Sequence, residues 1–155
     1  IVLYIVIHER DVLECSYLYM VDRQYNRISN TNRFHHKLSP EGENMLALEM
    51  TCHFNDKIWN SSDEELFDKC IDHLESDRFI NRNEVKHYMT VRIKEAYPFY
   101  RLDYKKNLTT VFEYFESIPN LTLAGRVGAF KYMDIDQCLE NTSDLVERLK
   151  KRGVI

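Results

Sequence analysis

The hydrophobic pattern changes period once in the first half of the chain, and that change constrains the fold more than any other feature. In "NMLALEMTCHF", residues 44–54, Leu46, Leu48, Met50 and Cys52 recur at every second position, which places them on one face of a β-strand. In "NSSDEELFDKCIDHLES", residues 60–76, Leu66, Phe67, Cys70, Ile71 and Leu74 recur at helical spacing behind a Ser62–Glu65 capping box. A strand with one apolar face followed by a helix with one apolar stripe predicts a sheet with a helix packed on it.

The flanking segments extend this pattern. "IVLYIVI" (1–7) and "CSYLYMV" (15–21) are β-rich runs separated by charged residues, and they read as a hairpin or two neighbouring strands. Residues 22–43 are polar, end in Ser-Pro and Glu-Gly turn signals, and read as loop. Period two returns over 83–96 through Val85, His87, Met89, Val91 and Ile93, predicting a strand with one mostly apolar face, on which His87 reads as a core histidine. Pro98 breaks it. Leu108, Val111, Phe112 and Phe115 then mark a helix from about Tyr104 to Ser117, "LTLAG" (121–125) reads as a short buried strand, and a last helix runs from Asp134 to about Lys151. The order predicts an α+β fold.

At 155 residues the chain is long enough to bury a core, roughly two-thirds of its unfolded surface. With 21 basic against 25 acidic residues and a formal charge of -4, no general attraction to nucleic acid or anionic lipid is expected, so any anion site is local. The longest apolar run has strand length and does not predict membrane insertion. Cys15, Cys52, Cys70 and Cys138 lie too far apart for a metal knuckle and read as reduced structural thiols in a cytoplasmic protein. His35-His36 reads as a pair of surface histidines, and Asp63, Glu64 and Glu65 as the acidic first turn of a helix.

Only 4 glycines occur, and two of them, Gly125 and Gly128, stand in "LTLAGRVGAFKYMDID" (121–136) beside Arg126. A glycine turn followed by a helix N-terminus leaves backbone N–H groups free to meet an anion or the electron-rich edge of a ring, and Arg126 adds a fixed cation. From the residues alone, this reading and that of an ordinary turn with a surface arginine stand about equal.

The residues of that stretch resemble the C-terminal flavin-binding motif of UDP-galactopyranose mutases and their relatives in the amine-oxidase-like FAD superfamily, Gly-Arg-x-Gly-x-aromatic-basic-Tyr-x-Asp/Asn-Met/Ile-Asp. Gly125, Arg126, Gly128, Phe130, Lys131, Tyr132, Asp134, Ile135 and Asp136 fill it in order. The mutases usually carry Tyr at the position of Phe130. "AYPFY", a helix and "IPNLTLAGR" are similar to the segment preceding the motif, so the resemblance is strong over 95–150 and looser upstream, where it rests on "QYNRISNTNRFHHKLSP" and the "SSDEEL" helix.

The resemblance implies an antiparallel substrate-domain sheet with packed helices over 1–96. Over 97–155 it implies the closing strand and C-terminal helix of a Rossmann-like FAD-binding domain. It implies Arg27, Tyr97, Arg126 and Tyr132 as ligands of a nucleotide-sugar diphosphate, and Gly125, Arg126, Asp134, Ile135 and Asp136 as the flavin side of the site. No side chain is catalytic in that scheme, the flavin N5 being the reacting atom. The chain opens without Met inside an apolar run and lacks the Gly-x-Gly-x-x-Gly fingerprint, so it reads as the C-terminal fragment of a larger enzyme of surface polysaccharide (lipopolysaccharide or capsule) synthesis. Two other readings stay open: an FAD-dependent amine-oxidase-like oxidoreductase, and a non-catalytic binding or dimerisation module. The residues do not decide between a monomer and a homodimer.

Overall fold

A computed structural model describes residues 1–8 and 10–155. The chain divides into two compact units, Ile1–Lys94 and Glu95–Ile155.

The first unit is built on strand β1, Val2–His8, which is apolar on both faces and therefore most stable in a sheet interior. It pairs antiparallel with β4 (Glu43–Glu49) on one side and β5 (Val85–Val91) on the other. Two short strands, β2 (Tyr17–Tyr19) and β3 (Arg27–Asn30), complete a five-stranded antiparallel sheet of order β2-β3-β4-β1-β5. The expected neighbour relation of the first two runs is thus corrected, since β1 has both edges occupied and β2 pairs with β3.

Strand β3 lies inside the segment expected to be loop. Its residues Arg27, Ser29 and Asn30 give no hydrophobic period, yet Ile28, Ser29 and Asn30 are buried because β2 and β4 flank the strand. The Asn30 side-chain N–H donates to the Leu13 carbonyl at 3.3 Å, which satisfies part of this buried amide. Tyr25, in the β2–β3 connection, is fully buried as well.

Helix α1, Asp63–Ser76, begins as the capping box predicts: Ser62 accepts from the Glu65 N–H at 3.1 Å, and Glu65 accepts from the Ser62 N–H at 3.0 Å. Leu66, Phe67, Cys70, Ile71 and Leu74 are all buried against the sheet face that carries Leu3, Ile5, Ile7, Ile28, Leu46 and Leu48. Each such side chain contributes about 1.5–3 kcal/mol of transfer free energy. Met50 joins this core, whereas Cys52 lies beyond the end of β4 and is only half-buried.

Strand β5 presents the opposite face from the one expected. The register Ile5↔Tyr88 turns Tyr88 toward α1, where it stacks on Phe67 at 4.0 Å, and leaves His87 and Met89 exposed. His87 is therefore a surface residue. Edge position explains the difference: with one strand neighbour, β5 lays the still half-exposed Tyr88 on the helix, and a register shift after Val6 returns Val85 to the core while His87 and Met89 stay on the uncovered side.

The second unit is helical: α2 (Tyr104–Glu116), a single turn α3 (Gly125–Gly128) and α4 (Ile135–Lys151). The predicted ends of α2 and α4 agree with these spans within a residue. The closing strand expected at 121–125 is not formed, because a strand needs a paired neighbour and every strand among the described residues belongs to the sheet of the first unit. Leu121 is exposed and Leu123 only half-buried.

Candidate functional site

In the second unit, Gly125 adopts φ +67°, a left-handed conformation that glycine takes without strain, and it starts α3 after extended Ala124. Gly128 has a different role: a Cβ there would lie 3.6 Å from the Leu123 backbone, so the turn folds back on the preceding segment. The Ala129 N–H bonds to the Gly125 carbonyl at 2.9 Å and the Lys131 N–H to the Arg126 carbonyl at 3.1 Å, which closes the turn. Phe130 also has positive φ, 45°, unusual for a bulky side chain and a point of stored strain.

This turn aims Arg126 at two tyrosine rings. Its guanidinium carbon lies 4.1 Å from the Tyr132 centroid and 5.1 Å from that of Tyr97, and the two rings run nearly parallel, 15° apart, with centroids at 6.2 Å. Arg126 Nη1 donates to the Met133 carbonyl at 3.2 Å, and no carboxylate pairs with the guanidinium among the described residues. An arginine whose charge is not neutralised, walled by two half-exposed tyrosines at 55% and 50%, is suited to a bidentate oxyanion ligand with hydroxyl donors beside it. The chemistry expected of Tyr97, Arg126 and Tyr132 requires their proximity, and these three come together.

Arg126 also borders a cleft of about 360 Å³ along the start of α4, lined by Met133, Asp134, Ile135, Cys138 and Leu139. Asp134 is the N-cap, in extended conformation, and its N–H donates to Gln137 Oε1 at 3.0 Å. The first-turn amides at Ile135 and Asp136 have no intrahelical acceptor and carry the positive end of the helix dipole. Ile135 is 83% exposed and Leu139 68%, so the cleft combines an apolar wall with amide donors and one cation. Gly125 has open space beside it, with nothing within 4 Å of a built Cβ.

Arg27 belongs to the first unit. On β3 it faces Glu49 across the ladder, with Nε donating to Glu49 Oε1 at 2.9 Å, Nη2 donating to the same oxygen, and Nη1 donating to the Tyr19 hydroxyl at 3.4 Å. Tyr17 stacks at 4.8 Å. Partial burial would lower the guanidinium pKa, but the hydrogen bonds to Glu49 and Tyr19 outweigh it and raise it. Two of the five guanidinium N–H groups are left over.

Sequence reasoning missed two supports of the Arg126 cluster. The Tyr132 N–H donates to the Tyr100 hydroxyl at 2.6 Å, and Gln137 caps the start of α4. The aromatic cluster around Pro98 signals Tyr100 as a packing residue, but its hydrogen-bond partner lies 32 positions along the chain and carries no sequence mark. His35, read as a surface histidine, accepts from the Lys37 N–H; Asp63 and Glu65, read as the acidic first turn of a helix, stand there, Glu65 capping α1 as expected and Asp63 pairing with Arg92 at 2.7 Å. Among the described residues no three ligating side chains gather for a metal, and no helix is long and apolar enough to cross a membrane.

The sequence matches no protein-family model and no curated protein. Among solved structures, one of reduced UDP-galactopyranose mutase is similar, with a TM-score of 0.69 at 19% identity over 84% of this chain. The match covers 28% of the mutase chain, so the present chain corresponds to under a third of that protein's length. At this identity the likeness concerns the fold alone, a combination of antiparallel sheet and helices.

Proposed function

We propose that this chain is the C-terminal part of a flavin-dependent enzyme similar to UDP-galactopyranose mutase, acting on a nucleotide sugar in surface polysaccharide synthesis. The observation that carries the proposal is the Arg126 cluster: a guanidinium without a carboxylate partner among the described residues, held against Tyr97 and Tyr132 at the mouth of a helix N-terminus. The ordered motif from Gly125 to Asp136 and the fold likeness support the same reading.

The cleft at the start of α4 fits a flavin. Its exposed Ile135 and Leu139 offer an apolar wall to a flat ring, and the Ile135 and Asp136 amides are donors for an electron-rich ring edge. Gly125, Arg126, Asp134, Ile135 and Asp136 would hold the cofactor, which when bound supplies the nucleophilic and redox chemistry. The side chains of this chain bind and orient. Arg126 engages the diphosphate bidentately, and the Tyr97 and Tyr132 hydroxyls donate to phosphate oxygen while their rings exclude water. In the first unit, Arg27 keeps the N–H groups that Glu49 and Tyr19 leave free, and these suit an anion. Placing the leaving diphosphate against fixed donors lowers the barrier by orientation and charge stabilisation, with no side chain acting as acid or base.

The test is to titrate the full-length protein with FAD and then, after reduction, to assay interconversion of UDP-galactopyranose and UDP-galactofuranose. Stoichiometric FAD with turnover is expected. FAD bound without binding of a UDP sugar would move the protein to the amine-oxidase-like oxidoreductases, and absence of FAD binding would leave a non-catalytic binding module.

A further inference from the structure

We infer that Tyr100 is a positioning residue of the Arg126 site, fixing Tyr132 through its backbone so that ring and hydroxyl meet a nucleoside diphosphate; this rests on the reading proposed above. The Tyr132 side chain is half-exposed, and its recorded ring contacts are Tyr97 and the Arg126 guanidinium. Its direction is therefore set by the main chain between α3 and α4. That segment is held by the Phe130 N–H on the Val127 carbonyl, the Lys131 N–H on the Arg126 carbonyl, Arg126 Nη1 on the Met133 carbonyl and the Asp134 N–H on Gln137; at Tyr132 itself the bond is from its N–H to the Tyr100 hydroxyl at 2.6 Å.

Tyr100 is suited to this work because it is itself held. Its ring packs at 4.8 Å on Tyr104, the first residue of α2, and meets Phe130 edge-on at 5.9 Å and 83°. One phenol thus restrains both the residue with unfavourable positive φ, Phe130, and the amide two positions later. A hydroxyl is needed, since Phe at 100 would keep the ring contacts and leave the Tyr132 N–H without its acceptor. Arg126 depends on the same anchor at second hand, because it stacks on the ring that Tyr100 places.

The experiment uses the full-length protein, with UDP as the probe, in wild type, Tyr100→Phe, Tyr132→Phe and the double variant. Affinity is read by calorimetry and the Tyr132 amide by hydrogen exchange. In Tyr100→Phe, that amide exchanges about five-fold faster or more and UDP binds about five-fold more weakly, the worth of one hydrogen bond, while the urea midpoint followed at Trp59 stays put. In the Tyr132→Phe background, the affinity loss from Tyr100→Phe shrinks, because the hydroxyl that Tyr100 positions has gone and only the ring's support of Arg126 is left to lose. Unchanged exchange at Tyr132 overturns the positioning role whatever UDP does. Faster exchange with undiminished UDP affinity, or equal losses in both backgrounds, overturns the link to the ligand. Wild-type protein that ignores UDP removes the ligand reading and this inference with it, an outcome told apart by the exchange at Tyr132, which still rises in Tyr100→Phe.

Discussion

The sheet unit and the helical unit handle their apolar residues in opposite ways. In residues 1–94, side chains from β1, β3, β4 and α1 form one buried cluster, with Leu3, Ile5, Ile7, Leu46, Leu48 and Leu74 completely shielded. In residues 95–155, all of them described, Met133 is the only hydrophobic side chain that is buried, and α2 and α4 bury none, although both carry apolar stripes. The helical unit instead holds Arg126, which pairs with no carboxylate among the described residues, the stacked tyrosines and the open helix start. A core fixes a fold, whereas a site needs surface, and the two duties fall on different stretches of this chain.

The largest effect that tests this contrast comes from truncating one side chain in each unit. Ile5→Ala is expected to cost about 3 kcal/mol in urea unfolding, since it leaves a cavity beneath α1, while Leu139→Ala in the same 155-residue chain stays within about 0.5 kcal/mol. A comparable loss for Leu139 would mean that α4 is packed after all. Trp59, the single tryptophan, reports the sheet unit by fluorescence.

Alkaline pH probes the core next. Burial pushes the Cys70 thiol up from 9.0 to about 12, and burial followed by the charge of Asp77 raises the Tyr25 phenol. Both groups keep their protons when folded and release them more readily when unfolded. Their contribution is therefore complete below about pH 9 and fades as pH climbs toward 12. The Trp59 midpoint should fall over that window, and Cys70→Ser, whose hydroxyl does not titrate there, should flatten the decline. At the acid end the signs reverse. Hydrogen bonding to Arg23 lowers the Asp77 pKa, and the Asn81 N–H lowers that of Glu84, so their smaller, solvent-screened contributions are present at neutral pH and lost as pH drops below the usual carboxylate range.

Gly125→Ala should have a smaller effect, about 1 kcal/mol, confined to the helical unit. Space is not the obstacle, as nothing lies within 4 Å of the new Cβ; the obstacle is φ +67°. Faster amide exchange over residues 125–132 with an unchanged Trp59 transition is the expected signature.

The same division explains what could be read from the sequence. The α1 stripe and its capping box were legible residue by residue, because periodicity and local hydrogen bonds act over four positions. The existence of β3 was not, since a strand of Arg27, Ile28, Ser29 and Asn30 is held by its neighbours rather than by its own pattern. The exposed face of β5 failed for a related reason: alternation identifies two faces, but the register with β1 decides which one meets the helix. Tyr97, Arg126 and Tyr132 were singled out from a motif, and their proximity required the turn at Gly125 and the anchor from Tyr100, neither of which periodicity describes. "LTLAG" looked like a strand because apolar β-formers say nothing about whether a partner strand stands beside them.

The central claim is that Arg126 is a ligand-binding cation rather than a structural one, and UDP affinity of the full-length protein tests it directly. Arg126→Ala should weaken UDP binding at least about 100-fold, since a charged bidentate contact is lost, and Arg126→Lys should recover only part of it. The Trp59 urea midpoint should remain that of the wild type in both variants. Wild-type UDP affinity in Arg126→Ala would contradict the account.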